Sequence, residues 1–300
     1  MLDRFSQSDA KAPDVLVSEH DAAARAVIEQ ASASLAARRS DIPAAFVAQL
    51  YARAAAEDVL NCGMGDLAAL AERAFDFLAE RPAGLPKIRC EPAAPGESRR
   101  RSVTILEIVN DDMPFLFDSV MGELSERRLN VLLVAHPVFG VQREDGRLVA
   151  LGAPDGGHPR ESFIHVHLEP LDEAACADLE HALSQVLGEV RLAVQDWRPM
   201  LDRVNSAVTD IRTNPPPLPV DEIAEAIQFL QWLLADNFTF LGVRNYTLDG
   251  NTLTPDPDGA LGIMRSSDLK VLRRGSELLE YTPEIMAFLR EPRLLIIAKA

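Results

Sequence analysis

Lysine is almost missing from this chain: only Lys11, Lys87, Lys270 and Lys299 occur in 300 residues, none in a glycine-rich context. An amine nucleophile therefore has no candidate. Cysteine is equally scarce, and Cys62, Cys90 and Cys176 are odd in number with no C-x-x-C spacing. That excludes a secreted disulfide framework and a zinc ribbon, and points to a reducing cytoplasm. No apolar run approaches the roughly 20 residues of a membrane span, and the N-terminal MLDRFSQSDAKAPDV has no signal-type apolar stretch. Positive charge is short as well: 30 Lys+Arg face 46 Asp+Glu, a formal net charge of -16 that repels phosphate backbones and anionic lipids. Nucleic acid and membrane are thus not expected as partners. There is no G-x-S-x-G, no P-loop and no H-E-x-x-H.

What is present suits an ordinary globular α+β chain with 47% apolar residues, long enough for two domains or more. Residues 1–18 read as a disordered tail. Residues 19–81 are Ala-rich with apolar residues at helical spacing and predict three helices, the second and third capped by Asp41 and Asp66. Residues 82–98, with several prolines and glycines, read as a linker without regular structure. From residue 99 to 212 the pattern changes. Val103 to Val109 predicts an internal strand, Pro114 to Arg127 a helix, Leu129 to Gln142 a β run, and Asp145-Gly146 a hairpin into Leu148–Leu151. Ser162 to Glu169 predicts a strand with Ile164, Val166 and Leu168 packed and Phe163, His165 and His167 on a wetter face. Asp172 caps a helix to Leu187. Apolar spacing from Val190 to Val204 favours continued helix, kinked by Pro199, over a short strand at 190–194.

Residues 213–219, TNPPPLP, must be extended and are expected to separate domains. Residues 220–300 then begin a second α/β unit: a helix after Asp221, a strand Phe238–Leu248 turned by Asp249-Gly250, further elements at Leu261–Met264, Leu269–Leu272 and Pro283–Leu289, and a strand Leu294–Ala298 that ends in mid-pattern.

Few constellations could carry chemistry. Gly63-Met64-Gly65-Asp66-Leu67-Ala68 matches G-x-G-x-x-A, but a helix precedes it where a nucleotide fold needs a strand, so it reads as an interhelical turn. His165 and His167 share a strand face and could gather with His158 or His136 on a metal; an interface or solvent face is the preferred reading, and no metal is assigned. Asp111 and Asp112 read as helix caps, and Asp118 as a polar-face residue, before any acid-base role. The turn Asn110-Asp111-Asp112-Met113-Pro114 with Phe115 places first-turn N–H groups at a strand end. It could cradle a small carboxylate or simply form a stable corner. No catalytic, cofactor-binding or metal residue is assigned.

The series Leu106-Glu107-Ile108-Val109-Asn110-Asp111-Asp112-Met113-Pro114-Phe115-Leu116-Phe117-Asp118-Ser119-Val120, followed by Ala135-His136-Pro137-Val138, resembles the N-terminal region of the large bacterial NAD-dependent glutamate dehydrogenases. Val194-Gln195-Asp196-Trp197 with Met200, Phe240 to Tyr246, Leu261 to Arg265 and Leu294 to Ala300 extend the resemblance over residues 100 to 300. It implies ACT-type regulatory modules ahead of a catalytic domain that this chain does not reach. The 99–212 segment is then an ACT/ferredoxin-like βαββα(β) domain, and 220–300 the start of a second one. The resemblance further implies NAD as cofactor of the parent enzyme but not of this fragment, and oxidative deamination of L-glutamate to 2-oxoglutarate by that parent. Expected partners are the downstream catalytic domain, further copies of the chain in a homo-oligomer, and a small amino-acid effector. Amino-acid-binding ACT modules show D-x-P-G-x-L at the first strand-helix turn. Here Phe115 stands at the glycine, which favours packing or subunit contact over small-ligand binding. Phe163, His165 and His167 are the second candidate interface.

Overall fold

A computed structural model describes residues 14–93, 103–249, 252–256 and 258–266, with isolated residues 287, 291 and 294. The elements expected at Leu269–Leu272, Pro283–Leu289 and Leu294–Ala298 therefore lie outside the described residues, apart from single positions. The chain divides into two compact units, Met1–Leu187 and Gly188–Ala300.

The first unit opens with four helices, not three: α1 Asp14–Ala36, α2 Phe46–Leu50, α3 Ala56–Cys62 and α4 Met64–Leu78. α1 already covers residues 14–18 of the expected tail. The predicted second helix is broken at Tyr51 to Ala55, and Asp41 caps nothing. Its carboxylate instead accepts two bonds from Arg39, at 2.9 and 2.8 Å, while the same guanidinium reaches Glu72 and Asp76 of α4. Gly63 separates α3 from α4 at φ 80°, a left-handed position suited to a residue without Cβ, so the G-x-G stretch is an interhelical turn.

The supposed linker contains a strand. β1 Lys87–Pro92 pairs antiparallel with β2 Thr104–Asp111, Cys90 opposite Leu106 and Arg89 opposite Glu107. Ile88 and Cys90 alternate with Lys87, Arg89 and Glu91, a short period-2 signal that the surrounding prolines concealed. β2 is buried along nearly its whole length, as expected of an internal strand. After α5 Leu116–Glu126, the long β run breaks at His136-Pro137 into β3 Val131–Ala135 and β4 Val138–Glu144, because Pro137 has no N–H to donate to a ladder. Asp145 and Gly146, both at positive φ, turn β4 into β5 Arg147–Gly152. β6 Arg160–Leu168 pairs with β2 on one side and with β3 and β4 on the other, giving the order β1-β2-β6-β4-β5 with β3 also on β6. Every pairing is antiparallel.

α6 Glu173–Gln195 starts on the expected cap, Asp172 Oδ1 accepting from Ala175 N at 2.8 Å, and runs unbroken through 190–194. The edge beside β2, where a later strand would complete a βαββαβ unit, is filled by β1 from the N-terminal side.

Side-chain alternation divides the sheet into two faces. Cys90, Leu106, Ile108, Ile164, Val166 and Leu168 share one, and Cys176 of α6 meets Cys90 there, Sγ to Sγ 3.2 Å. The other face carries Val109, Phe139 and Phe163 and forms one core with the N-terminal helices. Phe46 stacks on Phe139 at 5.7 Å and Phe77 lies 6.4 Å from Phe163. The helices are therefore one layer of the same unit and not a separate domain across a linker, since each such buried ring contributes about 2 to 3 kcal/mol of apolar burial.

In the second unit α7 Trp197–Thr213 places Pro199 in its first turn, where no N–H is needed, so the proline opens a helix instead of kinking one. α8 Val220–Trp232 follows the proline segment, which joins two helices of one compact unit. A kinked turn Leu233–Asn237, non-helical at Ala235 and Asp236, precedes β7 Gly242–Val243, the hairpin β8 Tyr246–Asp249 and β9 Thr252–Pro255, and β10 Leu261–Gly262 paired with β7. The strand expected over Phe238–Leu248 is thus reduced to two short pieces. No helix among the described residues is long and apolar enough to cross a membrane.

Candidate functional site

The turn from β2 to α5 is built differently from the cradle that its sequence suggests. Asn110 is buried at the strand end, and Met113 is half-buried. Asp111 does not cap: its Oδ1 lies 2.8 Å from Arg81 Nη2. Asp112 Oδ2 lies 2.8 Å from Arg160 Nη2, and its N–H donates to Arg160 O at 3.0 Å. Both carboxylates are committed to arginines from other elements, whose longer reach and charge outcompete local N–H groups. α5 begins without a side-chain cap, behind Phe115 in the left-handed conformation (φ 68°, ψ -4°). The backbone shape that a glycine would supply is kept with a phenyl ring attached, and that ring is 46% exposed. Asp118 lies on the exposed side of α5.

Arg81 leads from this turn into a buried ion-pair group. Its Nη1 reaches Glu161 Oε1 at 2.8 Å, and Arg143 grips both oxygens of the same carboxylate at 2.8 and 2.7 Å. Arg143 also donates to Leu78 O and Gly146 O, and Arg81 N–H to Gly146 O, which ties the end of α4 to the hairpin. A Cβ on Gly146 would stand 2.8 Å from Arg81 O. Nearby, Lys87 Nζ donates to Phe77 O and Glu80 O and sits over the Phe77 ring, so the cations lining the cleft at this end already have partners.

The predicted outward face of β6 is not wet. Phe163 and His165 are fully buried and His167 is 2% exposed. The helical layer covers them within the chain, which removes them as a contact for another subunit. The reason lies in the first eighty residues, whose apolar stripes need a sheet face to cover. The four histidines do not gather: His165 Nε2 and His167 Nε2 are 2.9 Å apart, His136 contacts Ser162 Oγ and stacks on Phe117, and His158 is exposed. Among the described residues no group of three or more His, Cys, Asp or Glu is arranged to hold a metal.

Around the histidine pair lies a second buried polar group, which sequence reading missed. Glu107, fully buried, receives Arg89 Nε at 2.9 Å and Arg73 Nε at 3.3 Å on Oε2, while His165 Nδ1 lies 3.4 Å from Oε1. Burial pushes its carboxyl upward, but His165 and Arg89 outweigh that and hold it below the ordinary range. Burial, then the neighbouring His165, drives His167 well below the usual imidazole value. On the far side His167 Nδ1 is 3.8 Å from Cys62 Sγ. Tyr51 stands edge-on to His165, its hydroxyl buried and its pKa raised by burial, then by Cys62 and Glu107. The available signal was an acid at Glu107 inside the otherwise apolar run TILEIV.

Two segments singled out in the second unit also meet. Asp196 accepts from Gly262 N at 2.7 Å and from Arg265 through both carboxylate oxygens, and Arg265 above all lowers its pKa. A Cβ on Gly262, at φ 60°, would collide with Leu241 O.

Comparison with known proteins agrees with this architecture. Residues 46–183, from the first residue of α2 into α6, match the glutamate dehydrogenase ACT1 domain. The chain is 34% identical over 208 residues, 67% of its length, to an NAD-specific glutamate dehydrogenase of Halomonas elongata. It is 28% identical over 267 residues, 85% of its length, to an enzyme of the same name from Pseudomonas aeruginosa. The matched stretches span only 13% and 16% of those relatives. The match begins at Phe46, the residue that stacks on the sheet, so α2, α3 and α4 lie with the sheet inside the matched segment, and α1 lies before it. On these grounds the chain corresponds to an N-terminal region of the large NAD-specific glutamate dehydrogenases, the region that carries their ACT1 domain.

Proposed function

We propose that this chain is a non-catalytic regulatory and assembly region of a cytoplasmic NAD-dependent glutamate dehydrogenase. In the full-length enzyme, L-glutamate would be oxidised with NAD to 2-oxoglutarate and ammonia by the downstream catalytic domain. The ACT-like body is the sheet β1-β2-β6-β3 with α5 and α6, and residues 220–300 begin a second module of the same kind. The observation that carries the reading is the β2–α5 turn within the matched segment, where Phe115 holds the glycine conformation yet exposes an aromatic ring. Such a ring at the mouth of the turn suits contact with another copy or with the catalytic domain better than close approach of a small ligand. F115E in the full-length enzyme should weaken self-association in sedimentation velocity; an unchanged oligomer would count against the assembly role.

The second reading, amino-acid sensing, draws on the start of α5, which has no side-chain cap and so offers N–H groups to a carboxylate. It requires that one amino acid raise the melting temperature in a concentration-dependent way. A flat response to all twenty would remove it.

A further inference from the structure

Cys90 is the one buried residue of the edge strand β1, and α6 holds it twice. Its Sγ lies 3.2 Å from Cys176 Sγ, and its N–H donates to Glu180 Oε1 at 2.6 Å. Cys176 and Glu180 stand one turn apart on α6, so a single helix face fixes both the side chain and the backbone of a residue 86 positions before Cys176. Water would satisfy an N–H on a sheet edge; a carboxylate in its place sets where the Cys90 side chain points. Both sulfurs are free thiols, and a bonded pair at about 2.05 Å is little more than an ångström closer. We propose that Cys90 and Cys176 are a reversible dithiol–disulfide pair, oxidised by hydrogen peroxide, that staples β1 to α6.

The chemistry runs in two steps. One sulfur attacks a peroxide oxygen: an S–O bond forms, the O–O bond breaks, and the thiol and H2O2 become Cys–SOH and water. The partner sulfur then attacks the sulfenic sulfur. The S–S bond forms, the S–O bond breaks, and the hydroxyl leaves with the partner's thiol proton as a second water. The two thiols have supplied two electrons and the peroxide has become two waters. A dithiol reverses the change by exchange and is itself left as the disulfide. Burial above all, then the neighbouring Cys176 sulfur, raises the Cys90 thiol far above its ordinary value, so the closed pair is slow to react. The first step therefore belongs to moments when β1 opens, which a strand with one buried side chain and one sheet neighbour does at low cost. Reclosure brings the second sulfur onto the first, and the bond then opposes the next opening.

The test is exposure of the full-length protein to hydrogen peroxide, with linked peptides identified by mass spectrometry without reduction. In the native protein the Cys90–Cys176 link should exceed any Cys62–Cys90 link, and dithiothreitol should remove it. In the guanidinium-unfolded chain the order should reverse, because loop closure favours the much shorter Cys62–Cys90 loop about fivefold. Hydrogen exchange at residues 87–92 should slow at least about tenfold in the oxidised protein and return on reduction, whereas C176S should show neither the link nor the slowing. The proposal is overturned if Cys90 and Cys176 stay reduced or pass to sulfinic acid, if the native link ratio equals the unfolded one, or if linkage leaves exchange in β1 unchanged. Should C176S fail to fold, the native and unfolded link ratios of the wild-type protein decide.

Discussion

Glu107 and Glu161 are both buried acids on neighbouring strands of one sheet, each held by two arginines, yet they are finished differently. Glu161 is closed by charge alone: Arg81 and Arg143 saturate its oxygens, and each arginine keeps further acceptors, Asp111 for one and the carbonyls of Leu78 and Gly146 for the other. Glu107 has one oxygen on arginines and the other 3.4 Å from His165 Nδ1 without a hydrogen bond between them, and His165 in turn contacts His167. The first group is a fastener between α4 and the hairpin. In the second, the same fastening adjoins a buried histidine pair, of which His167 is held well below the usual imidazole value by burial.

The largest effect expected from breaking this comparison is E107A. Removing the acid shared by Arg73 and Arg89 should cost about 3 to 5 kcal/mol in urea unfolding, because Arg89 loses its carboxylate partner and Arg73 keeps only the half-exposed Glu91. E161A should cost less, about 2 kcal/mol, since Arg81 and Arg143 retain other partners. Equal losses would erase the distinction. Next comes G146A at the fastener itself, which puts a Cβ against Arg81 O at positive φ and should cost about 1 to 3 kcal/mol.

The pH dependence sharpens the contrast. The folded-state pKa of His167 is depressed, so its contribution is fully present above the unfolded value near 6.5 and is lost as pH falls below it toward the folded value. Stability should decline below pH 6.5 by up to about 1.4 kcal/mol per unit for each such histidine. His136, lowered in the same direction by burial, contributes as well, so H167Q should flatten this slope without abolishing it. Glu107, also depressed, adds a further loss only as pH falls below its unfolded range, near 4.5. A slope unaffected by H167Q would place the acid sensitivity elsewhere. The smallest effect is F115G: relief of the left-handed phenylalanine should raise stability by about 0.5 to 1 kcal/mol in calorimetry, and a loss would show that the ring packs as well as protrudes.

Much of the fold was legible where one signal acted alone. The apolar run of β2, the Asp145-Gly146 hairpin, the Asp172 cap and the helix through 190–194 follow from periodicity and turn chemistry. Where two signals competed, the stronger local one misled. Prolines hid β1, and Asp41, Asp111 and Asp112 looked like caps although arginines claim them, neighbouring Arg39 for the first and distant Arg81 and Arg160 for the others. The apolar stripe of α4 and the semi-polar face of β6 each looked half-wet on their own. Placed together they bury one another, a relation that no single segment contains. The group around Glu107 was illegible for the same reason, since Arg73 and Glu107 are 34 positions apart in sequence and meet only when the helices lie on the sheet.

The sheet's outer strand next to β2 is made before β2 and not after the last helix, an arrangement equivalent to a cyclic permutation of the usual unit. A shortened protein beginning at residue 99 would bare eight residues of β2 backbone to any passing edge and should aggregate. During synthesis, in contrast, the closing strand has already left the ribosome when β2 emerges. Residues 190–212, relieved of the duty of returning to the sheet, continue as helix in α6 and α7.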